Sequence, residues 1–344
     1  MKYSPVLIPT LNRFEHFKKC LESLERCTGA ESTEVFVAVD YPPSEKYVEG
    51  WKNICNYLDQ KLEQNVFFRL HVIKRPYNFG VLKLNGNLEV LVKEIKSEYD
   101  RYILSEDDNV FSPNFLVYIN KGLDIFEKDP SVLYICGYTQ PYEFKFGDNN
   151  HFFHNTDFSA WGYGTWSCKR DAAVNEMYNG LFPKTFSIKN YLKVRKHGLN
   201  RLQQYMSYVL QRYDENTYML TDCVFTSYII IKNMYVVNPA ISKVRNIGWD
   251  IFGNSFKDHQ NLLNKMKDIS QRHMEQKIDA NLDFEYQGDP STYMEYNNMV
   301  TARCSEARIS WLTYVQSLLV MLIRYYARKV CGIRTMDELK KFLK

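Results

Sequence analysis

The chain has no C-x-x-C pair among its eight cysteines. Cys20, Cys27, Cys55, Cys136, Cys168, Cys223, Cys304 and Cys331 stand singly, most of them in apolar surroundings. That excludes a zinc site or a disulfide framework and predicts reduced, buried thiols in a cytosolic protein. No stretch reaches the ~20 apolar residues of a spanning helix. Met1 to Pro5 leads straight into a strand, so no signal peptide is expected. There are no repeats and no low-complexity tract. The net charge of +4 is too small to argue for a nucleic-acid partner. It is also unevenly placed. Residues 324–344 carry seven Lys or Arg against Asp337 and Glu338, a local net of +5, and the rest is nearly neutral.

What is present is an alternation of strands and helices. Apolar runs at 5–9, 34–39, 67–73, 101–104 and 132–136 read as strands, and helical periodicity covers 14–27, 45–64, 84–97 and 113–128. Such alternation implies a parallel sheet with right-handed crossovers. The first four strands end on polar or charged residues: Thr10 and Arg13, Asp40, Arg75 and Asn78, then Ser105-Glu106-Asp107-Asp108-Asn109. The segment 138–166 is rich in aromatic residues and glycine and reads as loops around a cleft. A basic helical stretch follows at 189–212, then apolar runs at 224–231 and 235–237. From 249 to 298 the pattern is polar and weak, a flap or helices packed on a sheet edge.

Three acids directly after a buried strand repel one another. The usual compensation is a divalent cation carrying a phosphorylated ligand. In open α/β sheets, ligands bind outside the carboxyl ends of the strands. The cluster therefore points to a metal-bridged diphosphate. The competing reading is an acid-rich helix N-terminus, which the macrodipole favours, but it leaves the other strand ends unexplained.

Five segments in order carry a family resemblance: Pro-Val-Leu-Ile-Pro-Thr-Leu-Asn-Arg at 5–13, Val-Ala-Val-Asp at 37–40, Arg-Pro-Tyr-Asn-Phe-Gly at 75–80, Glu-Asp-Asp at 106–108 and Trp-Gly-Tyr-Gly-Thr-Trp at 161–166. Over residues 3–255 the chain resembles the nucleotide-sugar-dependent glycosyltransferases of the GT-A fold. Glu106-Asp107-Asp108 with Ser112-Pro113-Asn114-Phe115 resembles their DxD-type motif, above all in the branch of N-acetylglucosaminyltransferase I. Asn246-Ile247-Gly248-Trp249 resembles a segment near the end of the catalytic domain in bacterial polysaccharide glycosyltransferases. The resemblance implies an α/β fold of GT-A type, Rossmann-like with a mostly parallel central sheet, and a helical C-terminal extension. The catalytic domain would span 1–255, with a nucleotide-sugar half at 1–115 and an acceptor half at 116–255. The extension with its basic tail would be 256–344.

The resemblance makes Asp108 the ligand of Mn²⁺ or Mg²⁺, with Glu106 and Asp107 meeting donor sugar, ribose or a metal-bound water. Pro9, Thr10 and Arg13 lie where a first β–α loop approaches the nucleotide. Asp40 can accept from a uracil N–H or a ribose hydroxyl, and Arg75 can pair with a phosphate. Asn78 and Gly80 fit a tight turn with close backbone approach. Trp161, Gly162, Tyr163 and Trp166, with Asp157 upstream, read as a sugar-stacking wall or as a turn capped by core tryptophans. Inverting transfer needs a carboxylate to take the acceptor's proton. Asp222 is the first choice and Asp250 the second, although Asp222 also reads as an element cap. A family histidine that completes the metal site has no obvious match here, His259 being the nearest residue.

The expected activity is metal-dependent transfer of a hexose or N-acetylhexosamine from a nucleotide diphosphate sugar, with UDP-sugar favoured. The acceptor would be a saccharide or lipid-linked molecule in surface polysaccharide synthesis, and the outcome inversion. One alternative is a sugar-phosphate nucleotidyltransferase, against which stands the absence of glycine from 9–13. The other is a non-catalytic carbohydrate-binding protein on the same fold. The apolar stretch 309–323 beside the basic 324–344 either rests on anionic lipid at the inner face of the plasma membrane or packs on the catalytic domain. The expected location is cytoplasmic on both readings.

Overall fold

A computed structural model describes residues 3–80, 85–141, 150–177, 187–198, 201–202, 204–205, 222–249, 267–287, 311–333, 338 and 341–342. Strands β1 (Val6–Thr10), β2 (Glu34–Val39), β3 (Arg69–Lys74) and β4 (Arg101–Leu104) alternate with helices α1 (Phe14–Glu25), α2 (Val48–Leu62) and α3 (Asn87–Ile95). The cause is local. β2 is buried along its whole length, as a continuous apolar run in a covered parallel sheet must be. α1 buries Phe17, Cys20, Leu21 and Leu24 on one face. β1 pairs in parallel with β2 and β4, and β2 with β3. The pairing continues past the strand ends. The Asp40 N–H donates to Thr10 O at 2.8 Å, Arg75 N–H to Val39 O at 2.9 Å and Ser105 N–H to Leu7 O at 3.0 Å. These bonds set Thr10, Asp40, Arg75 and the start of the acid cluster along one edge of the sheet.

The rest of the chain adds β5 (Asn109–Phe111), α4 (Phe115–Ile125), β6 (Val132–Cys136), β7 (Phe152–Asn155), β8 (Tyr163–Trp166), α5 (Ser167–Glu176) and α6 (Ile188–Arg195). After these come α7 (Asp222–Lys232), β9 (Tyr235–Pro239), β10 (Val244–Asn246), α8 (Lys267–Met274) and α9 (Trp311–Cys331). Eight strands form one sheet in the order β3-β2-β1-β4-β8-β6-β9-β7. β8 runs antiparallel to β4 and β6, and β7 antiparallel to β9, while β6 and β9 are parallel. The architecture is therefore α/β with a mostly parallel central sheet. β5 and β10 form a separate antiparallel pair.

Three features go beyond the sequence reading. The segment 138–166, expected as loops, contains β7 and β8, and β8 lies inside the sheet between β4 and β6. Four buried residues are too few to show an alternation. The apolar run at 224–231 belongs to helix α7; a short apolar run does not distinguish a strand from a buried helix.

The third is that residues 267–287, which follow the expected boundary at 255, pack on β10 and α4. Asp279 pairs with Lys243, both fully buried, and accepts a hydrogen bond from Asn114 Nδ2 at 2.7 Å. The Lys243 ammonium also lies 4.5 Å from the Phe284 ring centre, and the Tyr286 hydroxyl donates to Tyr118 O at 2.9 Å. A buried lysine without such a partner would cost several kcal/mol. Helix α9 packs Val315 and Leu318 against the apolar core on the α7 side of the sheet. Among the described residues no helix is long and apolar enough to cross a membrane.

Candidate functional site

The acid cluster leaves β4 and is held from two directions. From the first β–α loop, Thr10 Oγ1 donates to Asp107 Oδ2 at 2.7 Å and Arg13 Nη1 donates to Asp108 Oδ2 at 2.6 Å. Pro9 precedes Thr10 within β1. From the far end of the chain, pairing of β10 with β5 carries Asn246 back onto the cluster, where Nδ2 donates to Asp108 Oδ1 and to Asn109 Oδ1. The Ile247 N–H donates to Asp108 O at 2.9 Å. Gly248 lies directly against the pair: a Cβ there would stand 1.8 Å from Asp108 Oδ2 and 3.1 Å from Arg13 Nη2.

Negative charge is in excess at this point. Burial, then the charges of Asp108, Asp222 and Asp107, raise the Glu106 carboxyl well above its ordinary range despite Arg13. Burial and the Asp108 charge push Asp107 up to about 6, against the Thr10 hydrogen bond and Arg13. Such shifts mark carboxylates that a cation would return to their ionised form.

Asp222 reaches the cluster from the first turn of α7. Its charge is felt at Glu106. Burial, then the charge of Asp157, push its own carboxyl up to about 7, while a hydrogen bond from the Ala160 N–H and the Arg201 guanidinium pull the other way. Asp157 is buried and ion-paired with Arg201 Nη2. Asp157, Arg201 and Asp222 therefore form one charged group beside the cluster.

The loop after β3 is shaped by Asp40. Oδ1 accepts from the Tyr41 and Phe79 N–H groups at 2.9 and 2.8 Å, and Oδ2 accepts from the Gly80 N–H at 2.9 Å and Asn78 Nδ2 at 3.3 Å. Four donors occupy a carboxylate that offers about four acceptor sites, so Asp40 here folds the loop rather than presenting a free edge to a base. Gly80 takes φ +73°, which favours glycine. The Arg75 guanidinium is engaged bidentately by Glu94 at 2.7 and 2.9 Å and by Asn87 at 2.8 Å. It ties α3 to the end of β3, in place of the free phosphate-pairing cation expected from the sequence.

The aromatic wall also changes. Tyr163 and Trp166 belong to β8 and are buried, and Gly162 sits at φ +69° against Phe115 and Val244. These three serve the core because their segment is a central strand. Trp161 alone joins an aromatic group near the cluster, edge-on to Tyr138 at 4.6 Å and to Trp249 at 6.1 Å. His273 of α8 stacks flat on Trp249 at 4.6 Å, and its Nδ1 lies 2.6 Å from the Tyr138 hydroxyl. Burial, then Arg272, lower this imidazole to about 4, so it is neutral near pH 7.

Asp250 and His259 lie outside the described residues. Asn246, Gly248, Arg201 and His273 were not named as site residues by the sequence reading. Asn246 and Gly248 had a signal in the Asn-Ile-Gly-Trp segment, while His273 lies in the weakly patterned stretch and had none.

Among the described residues no three His, Cys, Asp or Glu side chains are grouped so as to hold a metal by themselves. Mg²⁺ and related ions commonly take one or two carboxylates and complete their shell with phosphate oxygens and water. A cluster of carboxylates short of positive charge fits that shared arrangement and not a protein-only cage.

No protein-family model matches the chain, and no curated protein does. Among solved structures it is similar to S. aureus TarS 1-349, at 10% identity and TM-score 0.40 over 100% of this chain and 92% of that one. Against a longer TarS structure the match, at 13% identity and TM-score 0.33, covers 52% of this chain and only 30% of that one. It is similar to mannosyltransferase PcManGT from Pyrobaculum calidifontis in complex with GDP-Man and Mn²⁺, at 8% identity and TM-score 0.38 over 95% and 87% of the two chains. It is also similar to the nucleoside-diphosphate-sugar pyrophosphorylase from Vibrio cholerae, at 12% identity and TM-score 0.35 over 70% and 94%. These are likenesses of fold, and at such scores the site rests on its own geometry.

Proposed function

We propose that the chain is a glycosyltransferase that moves a sugar from a nucleotide diphosphate sugar to a saccharide or lipid-linked acceptor. UDP-linked hexose or N-acetylhexosamine is the proposed donor, and surface polysaccharide synthesis on the cytoplasmic side the proposed setting. One observation carries the reading. Arg13 pairs with Asp108 at the carboxyl edge of the sheet, its charge is felt by Glu106 and Asp107, and the Asp222 carboxyl, raised to about 7, lies within electrostatic reach of Glu106.

Residues 1–115 form the donor half in this reading and 116–255, with 267–287, the acceptor half. Asp108, with Glu106 or Asp107, would hold Mn²⁺ or Mg²⁺, which supplies Lewis-acid stabilisation of the diphosphate leaving group. Thr10 and Arg13 orient the acids. Asp40 holds the 78–80 backbone in place for the nucleoside end. Asp222 is matched to proton transfer near neutral pH. It takes the acceptor hydroxyl's proton as that oxygen bonds to the anomeric carbon. The carbon–diphosphate bond breaks on the opposite side, and configuration inverts.

A second reading follows from the Arg13–Asp108 pair: the guanidinium, in place of a metal, meets the diphosphate. Calorimetry of UDP and UDP-sugars with Mn²⁺ or with chelator separates the two. The expected result is at least about tenfold weaker binding under chelator, and a comparable loss for Asp108→Ala. Metal-independent binding that Asp108→Ala leaves intact would sink the proposal. Release of UDP, as opposed to pyrophosphate, distinguishes transfer from nucleotidyl chemistry.

A further inference from the structure

Among the described side chains of helix α9, two pack on the rest of the molecule and five apolar ones are exposed. The 21 residues of the helix extend about 32 Å at the usual rise. Val315 and Leu318 pack on the core, while Leu312, Leu319, Ile323, Tyr326 and Val330 each stand more than half exposed. Steps of seven, four, three and four residues place these five on one stripe, about a quarter-turn round the axis from the packed side. Single exposed apolar residues need no explanation, but an aligned row marks a contact surface.

We infer that this stripe lies in the plane of an anionic lipid surface, with the basic segment 324–344, which begins inside α9 and continues past it, supplying the attraction. The argument is charge complementarity. Residues 324–344 carry a net +5 of the chain's +4, which leaves the preceding residues at −1. An apolar helical face joined to a basic segment binds at the headgroup level without crossing the bilayer, in keeping with the absence of a spanning helix among the described residues. A second copy of the chain is a poorer occupant. Stable protein interfaces use about 20–30 residues a side, and one stripe of a single helix offers far fewer. The inference does not depend on the activity proposed above.

The full chain is sedimented with vesicles of phosphatidylcholine alone or mixed with phosphatidylglycerol. Binding is expected to the mixed vesicles, at least about tenfold tighter than to neutral ones. Leu319→Glu with Ile323→Glu is expected to lower it at least about tenfold by removing the apolar contact, and Lys340→Glu with Lys341→Glu to lower it similarly by removing charge. Thermal midpoint and UDP affinity should stay at wild-type values, which separates loss of docking from loss of fold or of donor binding. Absence of vesicle binding, or binding that the stripe variant leaves unchanged, overturns the inference. So does a wild-type dimer that the stripe variant converts to monomer while neither binds vesicles.

Discussion

The two halves of the sheet hold their polar groups by different means. In the parallel half, β3-β2-β1-β4, each group sits at or within a few residues of the end of the strand that places it: Thr10 at the end of β1, Asp40 after β2, Arg75 to Gly80 after β3, the acids after β4. In the mixed half the groups arrive from afar. Asp222 comes from the start of α7, Arg201 ion-pairs with Asp157 44 residues earlier, and Asn246 reaches Asp108 across 138 residues. On the proposed function, the donor edge would be built from short-range chain geometry, whereas the proton-accepting side would depend on tertiary assembly.

The sharpest test of that division is Asp222→Asn. It should lower kcat by about 10³–10⁴-fold, the upper range for a general base, and leave donor affinity close to wild type. A parallel fall in donor affinity, measured by calorimetry, would break the division. Gly248→Ala tests the point where the halves touch. Its Cβ would fall 1.8 Å from Asp108 Oδ2, so donor binding should weaken by about 2 kcal/mol through overpacking, although residue 248 follows β10, far along the chain from the acids. Unchanged affinity would mean that the 246–248 turn does not position Asp108.

The smallest effect is on stability. Asp107 and Asp222 have folded-state carboxyls raised to about 6 and about 7 from 3.8. Between those values the folded protein binds more protons than the unfolded chain. The stability these two carboxyls contribute without ligand is therefore fully present below the unfolded value and is lost as pH rises from about 4 to 7, while His273, lowered to about 4, contributes in the opposite sense. The thermal midpoint should drop by about 2–4 °C for each kcal/mol lost. Asp107→Asn should flatten the lower part of that slope and Asp222→Asn the upper part. A slope that neither substitution changes would show that the cluster is not short of positive charge.

The same contrast explains what could be read in the sequence. Strands β1, β2 and β4 and their polar ends were legible because a buried parallel strand is a largely apolar run with an abrupt stop, and the edge strand β3, half buried, was legible from its position between two helical stretches. Asp222 was legible as an acid before an apolar run, although that run is a helix. β8 was hidden: Tyr163 and Trp166 resemble a ligand wall in sequence and are core residues because a four-residue strand enters between β4 and β6. β5 and β10, three residues each, had no periodicity to show, so the Asn246–Asp108 contact could not be seen. His273 is buried by its stack on Trp249, and no neighbour in sequence announces that. Free-looking cations and carboxylates misled in another way. Arg75 and Asp40 have ordinary ligand chemistry, but Glu94 and the 78–80 backbone claim them first.

The buried Lys243–Asp279 pair sets an order of events in time. A chain growing from its N-terminus has every strand of the central sheet once residue 239 has emerged, yet Lys243 then has no anion to bury against. Closing the core around it must wait for the next 36 residues. A nascent or prematurely ended chain that stops between the two therefore holds an uncompensated charge where the core should close.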